Sequence, residues 1–260
     1  MTQIGLYTAT ENELGAVQTA AEQLTGIDLV VRSESDLDGQ RDVASFVDEL
    51  GDAAAVVLWL HGGRDSMPAY EFAVDELRDA GVPLVVKATG DAFAPEDTTV
   101  APADREAVSK YLEYGGTVNI ANGMRFLARE YGDGEVADAI DDPIELPTEG
   151  VYHPEYPGAD HEELIATFDP DAPTVGIWFY ESHWTHENVR YVDAQVRRVE
   201  ALGANALPVF CNPVSDEADQ ADAKWTAEHY FTDGRGDPTV DAVLSSFMFS
   251  LSMSERGRDA

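Results

Sequence analysis

The amino-acid sequence predicts an α/β protein built from two doubly wound parallel-sheet units, the second truncated. Three observations lead there. Short, continuously apolar runs alternate along the chain with segments of helical period, the order expected of parallel strands covered by helices on both faces. At 260 residues the chain exceeds the usual single domain of about 100–200 residues. Apolar residues make up 44% of it and aromatics 9%, enough to build cores and too rich for a disordered chain.

Residues 4–8 read as a short buried strand, and Thr10 with Glu13 three residues later resembles a capping box opening a helix over 11–24. A second strand follows at 27–32. In 41–50, Val43, Phe46, Val47 and Leu50 fall at the i, i+3, i+4, i+7 spacing of one helix face. Residues 54–60 form the strongest strand and break at His61-Gly62-Gly63, after which Ser66 and Pro68 suit the start of a helix ending at Asp79. A strand at 82–86 comes next, then a helix over 104–112 that meets Gly115 and Gly116. Residues 119–131 resume the helical period through Met124, Leu127 and Ala128. The first domain is thereby placed at 1–140.

Residues 141–173 hold six of the 13 prolines and no sustained period, which reads as a linker or crossover. The second unit, 174–260, alternates again: strand 175–180, loop 181–186, helix 187–202, strand 206–210, an acidic helix over about 217–229, and strand 240–249. Residues 254–260 are polar where a finished unit places another helix, so this unit is expected to be cut short. Both units have a flavodoxin-like or Rossmann-like order.

Charge excludes whole classes of partner. The chain has 50 Asp and Glu against 16 Lys and Arg, a formal net of −34, and a polyanion of this kind repels nucleic acid and anionic lipid. Arg197 and Arg198 are neighbouring cations, but they sit inside an amphipathic helical segment. The acids spread along the whole chain and Lys is confined to Lys87, Lys110 and Lys224. That pattern points to a halophile, because molar salt shortens the Debye length to about 3 Å and screens the self-repulsion. One cysteine, Cys211, allows no intrachain disulfide, and residues 1–20 show no basic-then-apolar signal pattern. Together these point to the cytoplasm. The longest apolar run, residues 53–60, is far short of the roughly 20 residues of a membrane span.

Parallel sheets bind ligands outside the carboxyl ends of their strands, so three loops stand out. Thr8 to Asn12 leads into a helix N-terminus that could hold a flavin phosphate, although Glu11 and Glu13 put negative charge there. Plain helix capping is the other reading. His61-Gly62-Gly63-Arg64 offers open backbone and a cation in a cation-poor chain. Arg64 suits either a ligand carboxylate or a salt bridge to Asp65 or another local acid. In Glu181-Ser182-His183-Trp184-Thr185-His186, the two imidazoles three residues apart can share a helix face and bind a divalent metal, or simply begin a helix. Neither a Gly-x-x-x-x-Gly-Lys-Ser/Thr loop nor a Gly-x-Gly-x-x-Gly turn occurs at a strand–helix junction.

Several blocks resemble one family in order and spacing. They are Leu60-His61-Gly62-Gly63-Arg64, the strand 82–86, Tyr111 to Asn119 around Gly115-Gly116, Gly150-Val151-Tyr152-His153-Pro154, Pro173 to Tyr180 through His183-Trp184, Tyr191 to Ala194, Glu200 to Gly203, Leu207 to Phe210, and Val240 to Leu244 with Phe249 to Leu251. On these blocks the chain resembles the N-terminal portion of the large subunit of aerobic cobaltochelatase, CobN, and its relative, the porphyrin-binding H subunit of magnesium chelatase. The likeness is nearly continuous from about residue 54. Two departures are visible: Glu181 stands where the family usually has Arg before its Ser/Ala-His pair, and the loop 211–216 differs from the family's.

The resemblance implies ATP-dependent insertion of Co²⁺, as substrate, into a corrin ring, hydrogenobyrinic acid a,c-diamide, on the way to cobalamin. It implies that ATP is hydrolysed on partner AAA+ subunits, that this segment binds no cofactor of its own, and that it does not catalyse alone. Substrate-binding or subunit-contact candidates are His61, Gly62, Gly63, Arg64, His153, Glu181, His183 and Trp184. His183 and His186 are the metal candidates, with His183 as a group near the ring. Two other readings are a flavodoxin-like module holding a flavin or a protein partner, and a cobalt-delivery domain using His183 and His186.

Overall fold

The computed structural model describes residues 1–88, 95–134, 136, 138–213 and 223–248. The chain divides into two compact units, Met1–Glu145 and Leu146–Ala260.

In the first unit, β1 (Thr2–Thr8), α1 (Leu14–Glu22), β2 (Ile27–Ser33), α2 (Gln40–Glu49), β3 (Ala55–Leu60), α3 (Tyr70–Asp79), β4 (Leu84–Ala88), α4 (Pro102–Tyr114) and α5 (Gly116–Tyr131) follow one another. The sheet has the order β2-β1-β3-β4, and every pairing is parallel. β3 shows why a continuous apolar run reads as strand. Val56, Leu58 and Leu60 pack with α2 and α3 on one face, whereas Ala55, Val57 and Trp59 pack with α1, α4 and α5 on the other. Both faces being covered, no residue of β3 alternates to solvent.

Local chemistry moves some boundaries. α1 starts at Leu14 with Glu13 as its N-cap. The expected capping box does not form, because Thr10 Oγ1 donates to the Glu13 carboxylate instead of accepting from its backbone. Arg64–Ser66 forms a short 3-10 turn before α3 begins. Gly115 and Gly116 both have positive φ, +61° and +75°, which is where the predicted pair of helices breaks into α4 and α5.

In the second unit, β5 (Glu149–Val151), α6 (His161–Ile165), β6 (Thr174–Tyr180), α7 (Glu181–Thr185), α8 (Arg190–Ala201), β7 (Asn205–Cys211), α9 (Ala223–Phe231) and β8 (Ala242–Ser245) give a sheet of order β5-β7-β6-β8. β6 runs parallel to β7 and β8, while β5 is antiparallel to β7. Ile177 and Phe179 of β6 pack with Val192, Val196 and Val199 of α8; Trp178 packs with Tyr230 and Phe231 of α9. Gly176 admits no larger residue, since a Cβ there would lie 2.9 Å from the Phe231 ring.

The proline-rich stretch is therefore not structureless. It contains β5 and α6, and the unit boundary falls at Glu145/Leu146. The predicted helix 187–202 is split into α7 and α8 by Glu187, whose φ is +59°. Of the predicted helix 217–229, residues 217–222 lie outside the described residues, as do Phe249 to Leu251 and the polar run 254–260. All four residues of β8 are exposed, so the sheet ends on a strand that the described residues leave uncovered. No helix among the described residues is long and apolar enough to cross a membrane.

Candidate functional site

Each sheet has a loop at the carboxyl end of a central strand, and the two loops are built differently. In the first unit, β3 delivers His61, Gly62, Gly63 and Arg64; His61, Gly63 and Arg64 are exposed, and Gly62 turns the chain with φ +86°. Arg64 leans back onto the protein. Its Nη2 lies 2.7 Å from Asp97 Oδ2, and its guanidinium sits 5.7 Å from the Tyr70 ring centre. Asp97 is only 7% exposed. It also accepts from the Tyr70 hydroxyl at 2.9 Å and from Arg78 Nη2 at 3.4 Å. Burial and then Asp97 hold the Tyr70 phenol above its ordinary pKa. The acid that engages Arg64 is thus Asp97, thirty-three positions away, rather than neighbouring Asp65.

The adjacent Thr8–Asn12 turn is filled by its own side chains. Thr8 Oγ1 donates to Glu13 Oε2 at 3.1 Å, and Thr10 Oγ1 donates to the same oxygen. Burial raises the Glu13 pKa, offset in part by its hydrogen bonds and by His61. A carboxylate therefore stands where a phosphate at the α1 N-terminus belongs.

In the second unit, β6 ends at Tyr180 and α7 turns immediately, placing Glu181, His183, Trp184 and His186 in one short helix and its exit. Trp184 stacks flat on Phe210 of β7, with centroids 4.5 Å apart and planes within 6°. That anchors the turn to the sheet. The Glu181 carboxylate accepts from Thr185 Oγ1, and burial raises its pKa.

His183 lies between two phenol rings, 5.8 Å from Tyr180 and 5.3 Å from Tyr191 by ring centres. Burial lowers its pKa, and its Nδ1 is buried with no hydrogen-bond partner among the described residues. His186 is 8% exposed; burial, then His183, push its pKa down to about 4. Both imidazoles are therefore neutral at pH 7. The flanking tyrosines are tied to the chain after β8: Tyr191 Oη is 3.3 Å from Ser246 Oγ, and Tyr180 Oη accepts from the Met248 amide at 3.0 Å.

His153 is not part of this group. It is 3% exposed, its Nδ1 accepts from the Glu155 amide at 3.2 Å and its Nε2 lies 3.2 Å from Glu200 Oε1. That pattern puts the ring proton on Nε2. Glu200 is near the end of α8, just before β7 begins, so His153 fixes a turn at the opposite end of the strands from His183. The structure brings Glu181, His183, Trp184 and His186 together and leaves His153 apart. As metal ligands, His183 and His186 offer two imidazoles. No group of three or more His, Cys, Asp and Glu side chains suited to an ion occurs among the described residues.

Sequence reasoning missed the aromatic walls, Tyr180 and Tyr191, and the Asp97 anchor. An Arg in a chain this acidic signals that a partner exists, without saying which acid. Tyr191 sits eight positions beyond His183 on the next helix, beyond the reach of any local spacing rule.

Comparison with known proteins agrees with this architecture. The family model described as CobN/Magnesium Chelatase matches residues 109–260. An uncharacterised protein of Methanocaldococcus jannaschii is 26% identical over 82% of this chain and 18% of its own length. The aerobic cobaltochelatase subunit CobN of Pseudomonas aeruginosa is 27% identical over 70% of this chain and 15% of that protein. The magnesium-chelatase large (H-type) polypeptide of Rhodobacter capsulatus is 33% identical over 55% of this chain and 11% of that protein. Among solved structures, the catalytic subunit of cobaltochelatase from Mycobacterium tuberculosis superposes with a TM-score of 0.60 at 22% identity, covering 84% of this chain and 17% of the other; this likeness concerns the fold. The chain spans less than a fifth of each of these relatives. With the family model covering more than half of its residues, the chain belongs to the CobN/magnesium chelatase family.

Proposed function

We propose that this chain is a segment of a chelatase large subunit, and that its role is to recognise a tetrapyrrole, with Co²⁺ and a corrin ring as the substrates. What carries the reading is family membership across residues 109–260, a stretch that contains the entire 181–186 loop and both of its tyrosine walls. ATP hydrolysis is assigned to separate AAA+ subunits, in keeping with a sequence without a Gly-x-x-x-x-Gly-Lys-Ser/Thr loop.

Metal insertion removes two ring N–H protons and strips water from the metal. A neutral imidazole accepts a hydrogen bond or a proton at its bare nitrogen, and His183 offers Nδ1 in that state. Tyr180 and Tyr191 supply aromatic surface beside it. Glu181 keeps its carboxyl on Thr185, so it shapes the turn rather than adding a positive charge to it. Chemistry at the metal falls to the remainder of a larger assembly.

The test is a titration of hydrogenobyrinic acid a,c-diamide into the 260-residue chain, followed by visible absorption and tryptophan fluorescence. Saturable band shifts with quenching are expected, and flavin mononucleotide added in the same way is expected to change neither signal. Saturable flavin binding with no response to the corrin favours the flavodoxin-like module and overturns the proposal.

A further inference from the structure

The helical layer of the first unit carries a cleft that the tetrapyrrole reading does not use. It has a volume of about 510 Å³ and lies between α4, α5 and residues 140–143. Small-molecule sites span roughly 300–1,000 Å³ and combine apolar or aromatic walls with a few placed polar groups. Here Tyr111, Phe126, Ile140 and Pro143 supply the apolar wall, and Lys110 and Arg129 supply the charge.

The wall is held in place. The Tyr111 hydroxyl donates to the Asp141 carbonyl at 2.7 Å. Asn119, 2% exposed, grips Ile144 twice: its Nδ2 donates to the carbonyl at 2.7 Å and its Oδ1 accepts from the amide at 2.8 Å. The two cations are lightly engaged. Arg129 meets Glu130 through Nε at 2.9 Å and lies 5.5 Å from the Phe126 ring centre, which leaves the guanidinium fork beside an aromatic face. Lys110 reaches Glu106 at 4.0 Å, one helical turn away.

Charge context sharpens the point. The chain as a whole has 50 acids against 16 Lys and Arg, whereas the cleft lining holds Lys110 and Arg129 against Glu106 and Asp142. An anion repelled by most of this surface meets a balanced site with an aromatic floor. We propose that the cleft binds a small aromatic anion, its ring against Phe126 and Tyr111 and its carboxylate or sulfonate between Lys110 and Arg129. The proposal is independent of the tetrapyrrole reading, which rests on the other unit.

Anilinonaphthalene sulfonate, a fluorescent aromatic anion, is the probe. Titrated into the full 260-residue chain at fixed ionic strength, it is expected to fill one saturable site. The Lys110→Glu/Arg129→Glu variant, with its fold checked by circular dichroism, is expected to bind at least about tenfold more weakly. Val243→Ser, on exposed strand β8, is expected to bind as the parent does. The proposal is overturned by the absence of saturable binding, by undiminished affinity in the charge-reversed variant, or by an equal loss in Val243→Ser, which puts the probe on β8 instead.

Discussion

The ends of β3 and β6 occupy comparable places, each closing a central parallel strand of its sheet, yet one loop is locked by charge and the other is kept neutral. At β3, Arg64 is drawn to Asp97, which also gathers Arg78 and Tyr70. At β6, two imidazoles are desolvated, and His183 is lined by Tyr180 and Tyr191. In a chain of net charge −34, an exposed cation finds a carboxylate of its own. A group meant to stay available for a ligand is better made neutral and buried than charged. The comparison teaches that residue type alone, Arg against His, is a poor guide to which loop faces a ligand; what the neighbours do to its charge decides.

The largest effect expected comes from acid. His186 titrates near 4 in the folded chain against about 6.5 when unfolded. The unfolded state therefore takes up the proton first. The contribution is complete above pH 6.5 and is lost as the pH falls toward 4, on the order of 2–3 kcal/mol in all. Glu181, whose carboxyl is pushed up by burial, has the opposite sign: its folded form holds the proton longer, so acid relieves part of its burial. Urea unfolding at pH 7 and pH 4.5 measures the balance, and His186→Gln is expected to lose about 2 kcal/mol less than the parent between the two. Identical losses would show that His186 is not desolvated.

Next in size is the charge lock. Asp97→Asn strands Arg64 and Arg78 and is expected to cost about 2 kcal/mol. That is less than a fully buried pair would lose, because the arginine side chains are 42% and 33% exposed. Arg64→Ala removes one exposed partner and is expected to cost under about 1 kcal/mol. Equal losses in the two variants would mean that Asp97 holds no network. Smallest is the hinge between α7 and α8. Glu187 has φ +59°, a conformation that glycine adopts freely, so Glu187→Gly is expected to stabilise the chain by about 0.5–1 kcal/mol in thermal unfolding. Destabilisation would show that the Glu187 side chain matters more than its backbone.

These contrasts also explain what the sequence made legible. β3 was readable because helices cover both its faces, so every position is apolar. The α4–α5 break was readable because Gly115-Gly116 is a backbone signal. β5 and α6 were not readable: each is short, β5 is half-buried throughout, and neither completes a period that a sequence pattern could reveal. The 181–186 loop was found from its composition, and its stack on Phe210 and its tyrosine walls come from β7, α8 and the end of β6, which only the folded sheet brings together. His153 matched a family block yet serves a turn at the other end of the sheet; matching blocks do not tell which end of a strand a residue occupies.

The most direct trial of this contrast is to compare corrin affinity, by tryptophan quenching at pH 7.5, in the parent chain, His183→Ala and Arg64→Ala. The neutral edge of the second unit being the ligand-facing one, His183→Ala is expected to weaken binding about tenfold or more while Arg64→Ala leaves it within about twofold. Loss of affinity in Arg64→Ala with His183→Ala unchanged would contradict the assignment and move the site to the end of β3.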